Sequence, residues 1–279
     1  MRTTHYTSIV ITALLGAAAS GEAKPPVVTA AVENARPPSK AEKPPAIDHD
    51  AIAALRRMGA FLREQQSFTV RTTTETDYVL DSGQKIRLGS TGEIRVRRPD
   101  KVRAEVVSDR RQRQFFYDGA TFTVFSPRLG YYATVPAPST ILATADMLQD
   151  RYGLELPMVD LFRWGSQESD VDDLTAAMYV GATKVNGVDT DQYAFRQPGL
   201  DWQIWIQRGE APVPRKLLLT TTDDPARPER SVEMTWELGA RHADSEFTFV
   251  PPKDSQKIVL TDLSTPRGAA ARRARRTPR

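Results

Sequence analysis

The chain has 279 residues, of which 26% are charged and 40% are hydrophobic, a composition typical of one globular domain with polar flanks. Because it contains no cysteine, thiolate metal sites, iron–sulfur clusters, a thiol nucleophile and a lipidated N-terminal cysteine are excluded. The formal net charge of +3 comes from an arginine-rich C-terminus, so overall basicity gives no reason to expect a nucleic-acid partner.

The first 23 residues have the pattern of an export signal. A short polar start with Arg2 and His5 is followed by an apolar stretch at 6–16 and by small residues at 17–20. These features predict a signal peptide over residues 1–23 that is cleaved on export, and hence a periplasmic protein that is not a lipoprotein. The apolar stretch is shorter than the roughly 20 residues that a membrane-spanning helix needs.

Both ends of the remaining chain are predicted to be disordered. Residues 24–46 contain six prolines, which predicts an extended linker that cannot form a core. Residues 263–279 form a tail with six arginines. That tail has two interpretations: a disordered end without a binding role, or a segment that contacts an anionic membrane surface. The folded domain is therefore expected at residues 47–262.

The folded part opens with a predicted helix over residues 47–66, for which Asp48 is the candidate N-cap. Its apolar residues recur at steps of three and four and form one stripe, made of Ile52, Leu55, Met58 and Leu62. Residues 68–135 then alternate between apolar and polar side chains, which predicts an antiparallel meander of short strands. Turn sequences at 81–83, 99–100 and 127–130 separate these strands.

A helical interlude and a second meander follow. Ser139 is expected to cap a helix that ends at Gly153, and Pro157 is expected to begin another. The second meander spans residues 177–250 and includes the Asn-Gly hairpin turn at 186–187. About eleven strands are predicted in one curved antiparallel sheet, with helices on one face and solvent on the other. The predicted fold class is mainly β with a few helices.

Several short passages carry a family resemblance. Residues 156–161 (LPMVDL), 188–196 and 201–206 (DWQIWI) resemble a family of predicted periplasmic proteins, domain-of-unknown-function family 2092. Residues 116–121 (FYDGAT) and 247–252 (FTFVPP) are similar to the LolA/LolB-like lipoprotein-carrier superfamily. The resemblance implies an antiparallel half-open barrel wrapped over helices, like carriers that hold the acyl chains of lipoproteins.

Large apolar side chains recur on one face of the predicted sheet, while few helices are available to cover them. This imbalance predicts an apolar cavity that binds a lipid, an acyl chain or an acylated protein. For each residue taken singly, a packed core is the alternative. The candidate lining residues are Phe115, Tyr117, Phe122, Leu148, Leu161, Phe162, Tyr193, Phe195, Trp202, Ile204 and Trp236.

Enzymatic chemistry has little support in the sequence. His49 and His242 are the only histidines after the predicted signal, and no motif supplies a nucleophile beside them. The acidic run at 168–173 lacks the glycine and terminal glutamate of an EF-hand loop and is better explained as a helix cap. We therefore predict no catalytic residue, metal or cofactor. The alternative to a lipid carrier is a protein-interaction or envelope-stress sensor module of the same fold.

We expect the exported protein to start after residue 19, 20 or 23, because small residues precede each of these positions. The intact mass of protein purified from the periplasm measures this directly. A mature protein that retains Met1 would contradict the periplasmic assignment.

Overall fold

The computed structural model of the chain describes residues 47–164 and 170–264. The predicted signal peptide and linker, Glu168 and Ser169 of the acidic run, and almost all of the arginine-rich tail lie outside these residues. Within the described ranges, no helix is both long enough and apolar enough to cross a membrane.

The first helix, α1 (His49–Glu64), begins where the sequence predicts. Asp48 is its N-cap, and a carboxylate oxygen of Asp48 accepts a 2.8 Å hydrogen bond from the backbone N–H of Asp50. The backbone N–H of Asp48 also donates to the carbonyl of Ala177, which ties the helix start to the second meander. The predicted apolar stripe of α1 is buried, so this side of the helix packs on the sheet.

The second helix, α2 (Ile141–Tyr152), has a different cap from the predicted one. Thr140 takes the N-cap position instead of Ser139, and its hydroxyl accepts a hydrogen bond from the backbone N–H of Ala143. Both residues are of the type that caps helices, so sequence could not choose between neighbours. The end of α2 is as predicted, with Gly153 in the left-handed conformation.

The third helix, α3 (Asp160–Arg163), is shorter than predicted. Pro157 does not begin it, because the next residue, Met158, has a φ of 55° and breaks the helical path. The helix starts only after Val159, and Pro157 belongs to the preceding turn. A short 3-10 turn at Asp170–Asp173 follows in the acidic run.

Twelve strands of the described chain form one sheet. In chain order they are β1 (Ser67–Val79), β2 (Lys85–Arg97), β3 (Lys101–Ser108), β4 (Gln112–Tyr117), β5 (Thr121–Ser126), β6 (Tyr131–Pro136), β7 (Ala176–Val185), β8 (Val188–Gln197), β9 (Leu200–Gln207), β10 (Pro214–Thr221), β11 (Glu229–Leu238) and β12 (Gln256–Lys257). The strand beyond the predicted eleven is β12, which has two residues and pairs in parallel with β6.

The strand order joins two meanders into one open sheet. It runs β12-β6-β5-β4-β3-β2-β1-β11-β10-β9-β8-β7, so β1 and β11 meet in the middle. Their antiparallel register extends from Phe68 opposite Leu238 to Thr76 opposite Arg230. The predicted fold class, a mainly β half-open sheet with a few helices, is therefore confirmed, and the sheet is not a closed barrel.

The two faces of the sheet are covered by different parts of the chain. On the helix face, defined as the face against which α1, α2 and α3 pack, the side chains of Phe68, Val70 and Ile94 are buried in an apolar core. Successive strand residues point to opposite sides, so Thr69 belongs to the outer face, the opposite side of the sheet. Thr69 is nevertheless only 3% exposed.

The chain after β11 covers part of the outer face. We call residues 239–262 the C-terminal segment. Phe247 of this segment is fully buried, and the ring of Phe249 lies 5.0–5.3 Å from the rings of Phe116, Phe125 and Tyr132. The prediction of a solvated outer face is wrong here. These aromatic side chains alternate along their strands with the residues of the helix face, so they lie on the outer face, where the C-terminal segment buries them.

We expect Phe247→Ala to lower the free energy of unfolding by about 3–5 kcal/mol, since it removes a fully buried ring and leaves a cavity. Urea unfolding of the variant and the wild type measures this difference. The matched control is Val250→Ala in the same segment, where the side chain is 78% exposed and little change is expected. Equal losses in the two variants would contradict the packing described here.

Candidate functional site

The structure places the eleven predicted lining residues in one apolar cluster on the helix face. Nine of them are buried, and Trp202 and Trp236 are partly buried. The rings of Phe195 and Trp202 stack with centroids 4.3 Å apart. The whole set is Phe115, Tyr117, Phe122, Leu148, Leu161, Phe162, Tyr193, Phe195, Trp202, Ile204 and Trp236. Packing in a cluster does not test whether these residues contact a ligand, so their role in lining a ligand site stays a prediction.

Three of these side chains carry a polar atom with a hydrogen-bond partner. The pairs are Trp202 with the Gln197 side chain (3.1 Å), Trp236 with the Pro214 carbonyl (2.7 Å) and Tyr117 with the Pro138 carbonyl (2.5 Å). Each of them donates, which is the usual way to bury an indole or phenol. The fourth polar side chain of the set, Tyr193, has a different environment.

A groove of about 480 Å³, here called the α1 groove, lies between α1, strands β8 and β9, and the loop at 208–212. Of the eleven predicted residues, Tyr193 is the one that lines it. The volume is within the range of about 300–1,000 Å³ that small-molecule sites occupy. The apolar part of the wall is formed by Ala54, Ala60, Phe61, Tyr193, Ile206 and Pro212.

The contribution of α1 to this groove was missed by the sequence analysis. Ala54, Arg57, Phe61 and Glu64 recur at steps of three, four and three, so they follow one flank of the helix beside its buried stripe. A search for apolar periodicity passes over this flank because two of its four residues are charged. One sequence signal could have indicated this flank. Ala54 and Phe61 are apolar, lie seven residues apart, and are not part of the predicted stripe.

Charged side chains surround the α1 groove. Arg208 Nε lies 3.4 Å from Asp191 Oδ2, and the other oxygen of Asp191 accepts a 3.0 Å hydrogen bond from the Tyr179 hydroxyl. Asp191 therefore has partners on both oxygens. Arg57, in contrast, forms no ion pair with the residues that the structure describes. The two further acidic residues of the lining are Glu64 and Glu210.

Tyr193 is a buried residue whose hydroxyl has no partner among the described residues. Tyr193 is 7% exposed, and within the described residues its hydroxyl makes no hydrogen bond. Burial raises the pKa of this hydroxyl, the negative charge of Asp191 adds to the rise, and the positive charge of Arg57 opposes it. Because Tyr193 lines the α1 groove and its hydroxyl has no partner in the described chain, this hydroxyl is available to a ligand there.

A second cavity, of about 230 Å³, lies on the outer face between strands β4–β6 and the C-terminal segment. Its polar lining is largely paired within the protein. The hydroxyls of Thr123 and Thr134 are 2.8 Å apart, and Asp118 accepts hydrogen bonds from the backbone N–H groups of Ala120 and Thr121. These contacts leave the cavity with fewer uncommitted polar groups than the α1 groove.

The two candidate histidines are in different places. His49 is exposed in the first turn of α1, whereas the side chain of His242 is 6% exposed. His242 Nε2 lies 3.3 Å from the Thr69 hydroxyl, and Nδ1 lies 3.5 Å from a carboxylate oxygen of Glu246. Because Thr69 is buried, we interpret this trio as an anchor of the C-terminal segment. The described residues contain no group of three or more His, Asp or Glu that could hold a metal.

Residues 51–261 match the model of the family described as "Predicted periplasmic protein (DUF2092)". The match covers more than half of the chain, so this protein belongs to that family. The resemblance carried by residues 156–161 and 201–206 is thereby confirmed. No curated protein matches the chain.

Solved structures resemble the chain distantly. Lipoprotein LppX from Mycobacterium tuberculosis has a TM-score of 0.43 at 12% identity, covering 67% of this chain and 94% of that one. LprF from Mycobacterium bovis has a TM-score of 0.42 at 10% identity, with coverage of 75% and 99%. The LolA superfamily protein NE2245 from Nitrosomonas europaea has a TM-score of 0.36 at 11% identity, with coverage of 71% and 97%. Similarities at this level carry no argument about function.

We expect Tyr193→Phe to leave the free energy of unfolding of the ligand-free protein unchanged or raised by up to about 1 kcal/mol, because it removes a hydroxyl that has no partner in the described protein from a buried residue. Tyr117→Phe is the control, since it removes a hydroxyl that does donate, to Pro138, and should cost about 1 kcal/mol. Urea unfolding compares the two variants. A loss in Tyr193→Phe as large as in the control would show that its hydroxyl is bonded.

Proposed function

We propose that this protein is a non-enzymatic periplasmic carrier that binds a lipid or an acyl chain. The observation that carries the proposal is the α1 groove, whose wall includes Tyr193 and so meets the apolar cluster of the helix face. Ligand sites of this kind combine an apolar lining with a few polar groups that orient the ligand. In this proposal the eleven predicted residues form the apolar layer beneath and beside the groove.

In this proposal, burial of an acyl chain against the apolar wall supplies the affinity. Each buried methylene contributes about 0.8 kcal/mol, so a chain of about a dozen carbons contributes about 10 kcal/mol before the costs of association are subtracted. What remains corresponds to binding in the micromolar range or weaker.

The proposed context is the periplasm, which is supported by the description of the family and by the export pattern of residues 1–23. The linker at 24–46 would separate the domain at 47–262 from the start of the chain. The arginine-rich tail at 263–279 would bring the carrier to an anionic membrane surface, where a lipid or an acylated protein is collected or released.

Filling the α1 groove should weaken binding. Ala60 lines the groove on α1 and is only partly exposed, so the indole of Ala60→Trp would occupy space that an acyl chain needs. We expect dodecanoate, used below its micelle concentration, to bind the wild type saturably and to lose at least about tenfold in affinity with Ala60→Trp. Isothermal calorimetry measures both affinities.

Arg56→Trp is the matched control, since Arg56 is exposed on the same helix and does not line the groove. It should bind dodecanoate as the wild type does. If the wild type binds neither dodecanoate nor any lysophospholipid, the carrier proposal is refuted, and the protein-interaction module becomes the better account of this fold.

A further inference from the structure

Two donors in the α1 groove have no partner within the described chain. Tyr193 is a buried residue, and its hydroxyl makes no hydrogen bond there. Arg57 is exposed on α1 and forms no ion pair there, and its positive charge acts on the Tyr193 hydroxyl. A guanidinium presents two parallel N–H groups to a carboxylate or a phosphate, and a phenol adds a third donor. Together they have the chemistry of an oxyanion site.

We propose that Arg57 and Tyr193 bind the oxyanion headgroup, phosphate or carboxylate, of a single-chain lipid whose acyl chain lies along the apolar wall of the α1 groove. The inference rests on the proposed function and specifies the ligand class of the same site. A hydrogen bond from Tyr193 to the headgroup would supply the partner that its hydroxyl lacks. A headgroup oxygen at Arg57 would form a charge-assisted hydrogen bond, which is stronger than a neutral one.

Two acidic residues of the groove, Asp191 and Glu64, limit the headgroup to one anionic group. Asp191 already has Arg208 and Tyr179 as partners, so its charge is compensated within the protein. Glu64 follows Arg57 by seven residues, which is about 10 Å along the axis of α1. A single oxyanion bound at Arg57 therefore avoids Glu64, whereas a second anionic group farther along the helix would be repelled by it.

The apolar wall favours a lipid over a free anion. Ala54, Phe61, Ile206 and Pro212 line the same groove as the two donors. A free phosphate would contact the donors and leave this surface in water, whereas a lipid uses both. Combined recognition by an apolar wall and a few placed polar groups is typical of small-molecule sites.

The test compares two ligands with the same acyl chain, lauroyl lysophosphatidate and monolauroylglycerol, by calorimetry below their micelle concentrations. We expect the wild type to bind the lysophosphatidate about tenfold or more tightly than the neutral lipid, because only the former engages Arg57 by a charge-assisted bond. In Arg57→Gln this ratio should fall to about three or less, and in Tyr193→Phe it should fall about threefold or more. Arg56→Gln, on the same helix outside the groove, should keep the wild-type ratio.

The possible results of this test distinguish the headgroup site from the carrier proposal. Equal affinity of the wild type for the two lipids, or an unchanged ratio in Arg57→Gln, would overturn the headgroup site and leave the carrier proposal intact. Binding of neither lipid would remove the carrier proposal, and the headgroup site with it. If inorganic phosphate alone bound as tightly as the lysophosphatidate, the site would be one for free oxyanions and the lipid source would be overturned. Thermal unfolding of every variant verifies that it is folded.

Discussion

The antiparallel ladder between β1 and β11 holds the two meanders together, and the rest of the molecule is arranged around it. It pairs Phe68 with Leu238 at one end and Thr76 with Arg230 at the other, so it joins the two ends of the folded chain. Closing so long a loop costs conformational entropy, although the cost grows only slowly with loop length. Burial of Phe68 and Val70 on the helix face offsets it, and the ring of Trp236 lies 5.3 Å from that of Phe68.

The continuous sheet gives α1 a surface long enough for all four turns of its apolar stripe. With that side buried, a flank of the helix remains beside β8 and β9, and it is this flank that borders the α1 groove. The start of α1 is fixed to the same meander, because Asp48 bonds through its N–H to Ala177 and through its carboxylate to the N–H of Tyr179. The α1 groove and the core of the domain thus share α1. Its buried side contributes to stability, and its flank carries Arg57.

Periodicity, together with cap and turn residues, predicted much of this architecture. The alternation of apolar and polar residues predicted the two meanders. The apolar stripe and the cap residue Asp48 predicted α1, and the hairpin turn at 186–187 is as predicted. The misses have local causes, since Ser139 and Thr140 are equally good caps and the left-handed backbone at Met158 has no sequence signature. The site was predicted less well, because its features are a flank of mixed polarity and the missing partner of one hydroxyl. Both features depend on contacts between side chains that are distant in the sequence, and the sequence pattern does not show those contacts.

The C-terminal segment follows the second meander in the chain but packs on the outer face of the first meander. Phe249 packs on Phe116 and Phe125, and β12 extends the sheet from β6. Until residues 239–262 have been synthesised, the outer face of the first meander therefore remains an open aromatic patch. Copies that end early would display that patch, and exposed apolar surface is what chaperones and proteases act on. A copy that lacks the C-terminal segment is thus distinguishable from an intact one by its surface alone.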